Sequence, residues 1–176
     1  MERLIDAESN INTDKLITKD SIILGVKEYL LSEGYPIVEL NMEKPWGAYF
    51  RLDNNDSEKF INEFFPSITK LELKLGHEKI EISPKILIVS PGKMLSWQYH
   101  NRRAEAWSFL SDGAYTMGLD NNEPAPQFVK PGHIVQFSDN MRHRLIGCVD
   151  SYTIVAEVWQ HIDDNHPSDE EDIIRL

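Results

Sequence analysis

Apolar and polar positions along the chain follow one period near the N-terminus and another beyond residue 69. In "TKDSIILGVKEYLLSEG" (18–34), Ile22, Val26, Tyr29 and Leu30 recur at helical spacing. Thr18 offers a capping hydroxyl and Gly34 suits the turn that ends a helix, so the spacing predicts a helix over 18–34 that packs on the body of the protein. "SEKFINEFF" (57–65) is a shorter amphipathic pattern that opens on a Ser cap and stops at Pro66. "PIVEL" (36–40) and "KPWGAYFRL" (44–52) read as strands, while residues 1–17 are polar and irregular.

From residue 69 the period falls to two. "TKLELKLG" (69–76) alternates apolar and charged residues and reads as a half-buried strand. "EKIEIS" (78–83), "KILIVS" (85–90), "MLSWQYH" (94–100), "AEAWSFLS" (104–111), "AYTMGL" (114–119), "HIVQFS" (133–138), "RHRLIGC" (142–148) and "SYTIVAEVWQHI" (151–162) follow. Short strands broken by Pro-Gly and Asp-Gly turns predict a β-sandwich or small barrel, here with an N-terminal helix and one short additional helix. There is no internal repeat.

Composition narrows the function. The chain has 176 residues, enough for one domain with a real core, and a formal charge of −11. That charge argues against nucleic acid, whose phosphates bind clustered Lys and Arg. Much of the acid lies in "DDNHPSDEED" (163–172), which reads as a solvated end. Cys148 is the single cysteine, so no internal disulfide and no Cys-rich zinc motif can form. The N-terminus has no apolar signal region and no segment approaches membrane-spanning length, so a cytoplasmic protein is expected.

The candidate chemistry lies in "QYHNRRAE" (98–105). On a strand, Gln98 and His100 share one face while Trp97 and Tyr99 share the other, where they would need cover from the N-terminal helix or a second copy. Glu105 follows on the next strand, with Trp107 and Phe109 on its face, and His143 in "NMRHRL" is the natural fourth member. Two imidazoles and two oxygens, with no thiolate, suit one divalent ion such as Zn, Mn, Fe, Co or Ni. An octahedral ion so held keeps two positions for substrate. The alternative is a set of hydrogen-bonded structural residues.

"EKPWGAYFRL", "SPGKMLSWQYHNRRAEAW", "RHRL" and "AEVWQ…EEDIIRL" together resemble the cupin domain of type II phosphomannose isomerases. The likeness covers roughly residues 42–52 and 86–176. It implies a cupin-type double-stranded β-helix (a jelly-roll barrel) over 41–176, with 1–40 as an extension carrying the helix 18–34. It also implies a divalent ion on Gln98, His100, Glu105 and His143. The implied reaction is aldose–ketose isomerisation of a small phosphorylated sugar through an enediolate, mannose 6-phosphate being the reference case. Arg103 matches the family's functional arginine and would hold the substrate or the enediolate charge.

Lys44, Arg51, Arg102, Arg142 and Arg144 flank these blocks and form the expected cationic mouth for the phosphate. Glu157 and His161, on one face of "YTIVAEVWQHI", are the candidates for moving the proton. His133 is expected merely to be exposed. A homodimer is expected, since cupins often pair.

The chain departs from the family at Asn101 and Arg102, where histidines are common, and at Ala106, again usually histidine. "FSDNMRH" lacks the family's Pro and Gly, and no aromatic-Gly-Arg end follows "EEDIIRL". A heptose or pentose phosphate therefore stays open as substrate. A non-catalytic cupin that binds a sugar or nucleotide-sugar and an oxygen-consuming metal cupin stay open as functions.

Overall fold

The structure is a computed structural model that describes residues 11–163 and 165–176; part of the polar N-terminal stretch, residues 1–10, lies outside them. In chain order the elements are α1 (Lys19–Ser32), β1 (Ile37–Lys44), β2 (Gly47–Leu52), α2 (Ser57–Phe64), α3 (Lys70–Leu73), β3 (Glu81–Val89), β4 (Gln98–Tyr99), β5 (Arg103–Phe109), β6 (Gly113–Gly118), β7 (Gln127–Val129), β8 (Ile134–Phe137), β9 (Arg142–Gly147), β10 (Thr153–His161) and β11 (Ile174–Arg175). The strands form two antiparallel sheets, ordered β1-β2-β3-β10-β5-β8 and β11-β4-β9-β6-β7.

The six-stranded sheet is covered on both faces. Its outward residues, among them Phe50, Ile86, Ile88, Ala106, Ile154, Ala156 and Val158, pack with Ile22, Val26 and Leu30 of α1 and with Phe60 and Phe64 of α2. Its inward residues, Tyr49, Leu87, Trp107, Phe109 and Val155, meet Tyr115 and Leu145 of the facing sheet in a second core. Strand β10 is consequently buried at every position, and the apolar runs of β3 and β10 are those of a sheet with no solvent face. Polar residues on the inward face of β3, β5 and β10 therefore have to find partners inside the protein.

The N-terminal helix forms as its signals predict. Thr18 Oγ1 accepts from Ser21 N at 3.1 Å, and at the other end Gly34 takes φ +76°. There Gly34 N donates to Leu31 O and Tyr35 N to Leu30 O, a Schellman turn.

Residues 69–76 contradict the strand expected of them. Lys70–Leu73 is a helical turn closed by a capping box, with Thr69 Oγ1 accepting from Glu72 N and Glu72 accepting from Thr69 N. Only Leu73 of its apolar residues is buried; Leu71 and Leu75 face solvent. Thr-x-x-Glu is a stronger local signal here than alternation over so few residues. β7 and β11, three and two residues long, carry no legible pattern.

Gly47 opens β2 where a side chain has no room. A Cβ there would stand 1.9 Å from Ile88 O and 3.2 Å from Val89 Cα on β3. Gly47→Ala must push β2 off β3 and is expected to cost at least about 2 kcal/mol in urea unfolding, as strained backbone sites do. A cost below about 0.5 kcal/mol, the range of ordinary surface changes, would mean the strands part freely here.

Candidate metal centre

Glu105 reaches inward from β5, and His143 reaches toward it from β9 of the facing sheet. His100 follows β4. His100 Nε2 lies 3.1 Å from Glu105 Oε1, and His143 Nε2 lies 3.2 Å from Glu105 Oε2. All three residues are buried, and their ligand-type atoms fall within 4.8 Å of one another. Gln98 stands directly opposite His143 in the β4–β9 pair, so both side chains leave the same face. Gln98 Oε1 accepts from Ser96 Oγ at 2.6 Å, which leaves its second lone pair for the site.

The imidazoles are oriented from behind. His100 Nδ1 donates to Asp172 O and His143 Nδ1 to Met141 O, the second at 2.9 Å. A carbonyl can only accept, so each neutral ring turns an Nε2 lone pair toward the Glu105 carboxylate, and that of His100 also faces Arg103 Nη2 at 3.2 Å. Burial holds His100 down to about 4, so it does not protonate near neutral pH to relieve that contact. His143 Nε2 is buried with no hydrogen-bond partner. Two imidazole nitrogens beside a carboxylate form a donor set suited to a cation, and backbone carbonyls behind metal-bound histidines are the usual support. Ligands at right angles with bonds of ~2.1 Å would sit ~3.0 Å apart, close to the spacings seen. The residues fit a divalent ion.

Arg103 supplies the positive charge already at hand. Its Nε donates to Glu105 Oε1 at 2.7 Å and its Nη2 lies 3.2 Å from His100 Nε2, while the guanidinium lies 3.7 Å from the centroid of the Trp159 ring. Burial alone would raise the Glu105 carboxyl; His100, Arg103 and His143 outweigh it and hold Glu105 well below the usual range. His143 is walled by Phe137, stacked at 4.6 Å, and by the edge of Trp107.

The segment 165–173 lies across this group: most of it is exposed, as expected of a solvated end, but Ser168 and Asp172 are buried. The Asp172 carboxylate accepts from Asn101 N and Arg102 N, each at 3.0 Å, and from Ser168 Oγ at 2.7 Å. Arg103 Nη1 donates to Ser168 Oγ and Asp169 O, and Arg102 binds Asp169 and Pro167 O. Acid placed there neutralises the two arginines of the ligand turn. Asp172→Ala should free that turn and lower divalent-metal affinity by about 10- to 100-fold, the range for groups that orient ligands. Chelator competition measures this, and an unchanged affinity would show that the turn holds itself.

A cleft of about 370 Å³ opens onto the group, with Gln98, Arg103 and Glu105 in its wall. Trp46, Tyr49, Trp159, Lys85, Glu157 and Glu170 also line it. Trp107 Nε1 donates to Glu157 Oε1 at 2.9 Å. Burial, and then the nearby Glu105 charge, push Glu157 up to about 8.

Of the expected phosphate-binding cations only Lys44 lines this cleft. Arg51 pairs with Glu39, Arg102 with the 165–173 segment, and Arg144 with Glu123. Arg142 lies over Tyr99, 4.4 Å from the ring centroid, and binds Asn121. The cationic mouth is thus not built from these four arginines, because each is held elsewhere by an oxygen partner. His161 also stands apart: Ser168 N donates to its Nδ1 and its Nε2 meets Ser83 Oγ at 2.8 Å. Both nitrogens are engaged, which leaves Glu157 as the one of the two in the cleft wall. His133 is exposed, as expected, and stacks on Tyr115.

Trp97 and Tyr99 need neither the helix nor a second copy. Trp97 is buried, its Nε1 donating to Asn121 O, and Arg142 covers Tyr99. Sequence reasoning passed over Lys85, Tyr49, Glu170 and Asp172. Lys85 is detectable as a charge in phase with Leu87 and Val89 on the inward face of β3, where Glu81 at the strand's exposed end is the other charge in phase; Asp172 has no local signal.

No protein-family model matches the chain, and no curated protein does. Solved structures match in shape. CapF of Staphylococcus aureus, described as a capsular polysaccharide assembling protein, superposes with TM-score 0.53 at 17% identity, over 89% of this chain and 36% of that one. Hazelnut (Corylus avellana) vicilin gives 0.51 at 14% identity, over 82% and 35%. Oxalate decarboxylase of Bacillus subtilis gives 0.51 at 14% identity, over 78% and 30%. The chain thus spans about a third of the length of each. At these identities the likeness shows the fold alone, the cupin jelly roll. No described helix is long and apolar enough to cross a membrane.

Proposed function

We propose that this protein is a metal-dependent isomerase of small sugar phosphates, of the mannose-6-phosphate isomerase type, in which one divalent ion is held by His100, Glu105, His143 and Gln98. The observation that carries this reading is the buried His143 Nε2, without a hydrogen bond beside Glu105 and His100, with Glu105 also in the wall of a cleft that contains Glu157 and Arg103. A divalent ion bound there would polarise a carbonyl and its neighbouring hydroxyl. Glu157 is the group that takes the proton from the carbon beside the carbonyl and returns it to the adjacent carbon. No electrons leave the substrate. Arg103, always charged, faces the enediolate oxygens. Trp46 in the cleft wall would exclude water and offer a face for the sugar.

The departures at Asn101, Arg102 and Ala106 bear less on this chemistry than their positions in the sequence suggest. Ala106 packs in the outer core with the helices, on the opposite face of β5 from Glu105. Asn101 is exposed, and Arg102 is tied to Asp169.

The test is a panel of hexose, pentose and heptose phosphates in deuterium oxide, with protein loaded with Mn, Co or Zn. Isomerisation independent of oxygen, with deuterium entering at the carbon next to the carbonyl, is expected for at least one. Oxygen consumption would point to an oxygenase. Metal binding with no turnover of any sugar phosphate would leave a binding protein.

A further inference from the structure

Lys85 is the charge in the cleft that the proposed chemistry leaves unused. Its side chain is 2% exposed, yet its partner Glu170 is 43% exposed. The ammonium lies 3.4 Å from the centroid of Trp159 and 4.6 Å from that of Tyr49, and both Lys85 and Glu170 line the cleft. A buried ammonium requires a counter-charge, and Glu157 is the other carboxylate close to it. Both carboxylates favour the charged form of Lys85, and Glu170 is the one paired with it. Glu170 reaches Lys85 from the segment that Asp169 and Asp172 already fasten to Arg102 and Asn101. Its side chain can therefore leave without the segment leaving.

We infer that Lys85 is the anion anchor of the cleft, and that the Glu170 carboxylate is a resident stand-in displaced by the oxyanion of an incoming small substrate. The oxyanion is a phosphoryl or carboxylate group on a sugar-sized molecule. This rests on the proposed function only for that size and class. Lys44 and Arg175, also in the cleft wall, add charge of the same sign once Glu170 withdraws. Displacement costs the Lys85–Glu170 pair and gains its replacement, so wild-type affinity is held down by competition within the chain.

The experiment measures binding of fructose 6-phosphate and of gluconate to the full chain, by calorimetry and by Trp159 fluorescence. Glu170→Gln removes the competitor at an exposed site without threatening the fold, and should tighten binding by about 10-fold, the scale of one hydrogen bond to a charged group. Lys85→Met keeps the packing against Trp159 and should weaken it by about 10- to 100-fold. Response to the phosphate ester alone assigns the site to phosphoryl groups; response to gluconate alone assigns it to carboxylates. Failure of wild type and Glu170→Gln to bind either anion overturns the inference, as does unchanged affinity in Glu170→Gln. If Lys85→Met does not fold, the Glu170→Gln result decides. Turnover of a sugar phosphate with no effect of Glu170→Gln would leave the isomerase reading standing and this inference fallen. Tighter anion binding in a protein that isomerises nothing would do the reverse.

Discussion

Glu105→Gln is expected to strip the protein of its divalent ion, with affinity falling more than about 100-fold, beyond the range for groups that merely orient ligands. Glu105 is the only carboxylate of the buried group, and each of its oxygens faces one imidazole nitrogen. An amide in its place supplies no charge and, on one side, a donor where a lone pair was. The same change exposes the second duty of Glu105, as partner of the buried Arg103. Breaking a buried pair from one side typically costs about 3–5 kcal/mol, so the metal-free variant should unfold at distinctly lower urea than the metal-free wild type. Metal content after dialysis measures the first effect and urea unfolding the second. Should wild type refuse Mn, Co, Ni and Zn, or should Glu105→Gln hold them equally well, no metal centre exists. Arg103 would then be the permanent cation of a structural His–Glu–His cluster.

Glu157→Gln should lower kcat by about 10²- to 10⁴-fold, the usual contribution of a positioned base, with metal content unchanged. The glutamine can still accept from Trp107 Nε1, so the fold keeps its contact. What it cannot do is take a proton. Burial pushes Glu157 up, to about 8 before any ion is bound, so the wild-type rate should rise with pH through the titration of Glu157, and the variant's should not. Stability should move the other way. The folded-state pKa lies above the ordinary 4.5, so the contribution of Glu157 is fully present below pH 4.5 and lost as pH rises to about 8. The variant should show no such loss over that window. An equal pH limb in both proteins would assign the proton transfer to another group.

Much of the site is legible in "QYHNRRAE" because strand periodicity is local: Gln98 and His100 share a face by parity alone. Glu157 follows in the same way from its phase on β10. The arginines were harder. Arg102, Arg142 and Arg144 beside the candidate ligands, and Arg51 beside the Pro-Trp-Gly block, read as a cationic mouth, but each has its own oxygen partner outside the cleft. Lys85, distant in sequence from them, is in the cleft instead. The acidic run 163–172 is legible only in part: Asp169 pairs with Arg102 and Glu170 with Lys85, more than 60 positions earlier, and Asp172 is buried.

The sequence by itself determined the alternation of its strands, the capped helix at its start, and the types of side chain that could bind an ion. Those are consequences of neighbouring residues and of backbone geometry. Only the tertiary structure decided which charges meet. Glu105 and His143 come from facing sheets, and Asp172 and Glu170 from a segment folded back across both. Burial then set their protonation, because a charge removed from water takes its state from whichever partners the fold brings within reach.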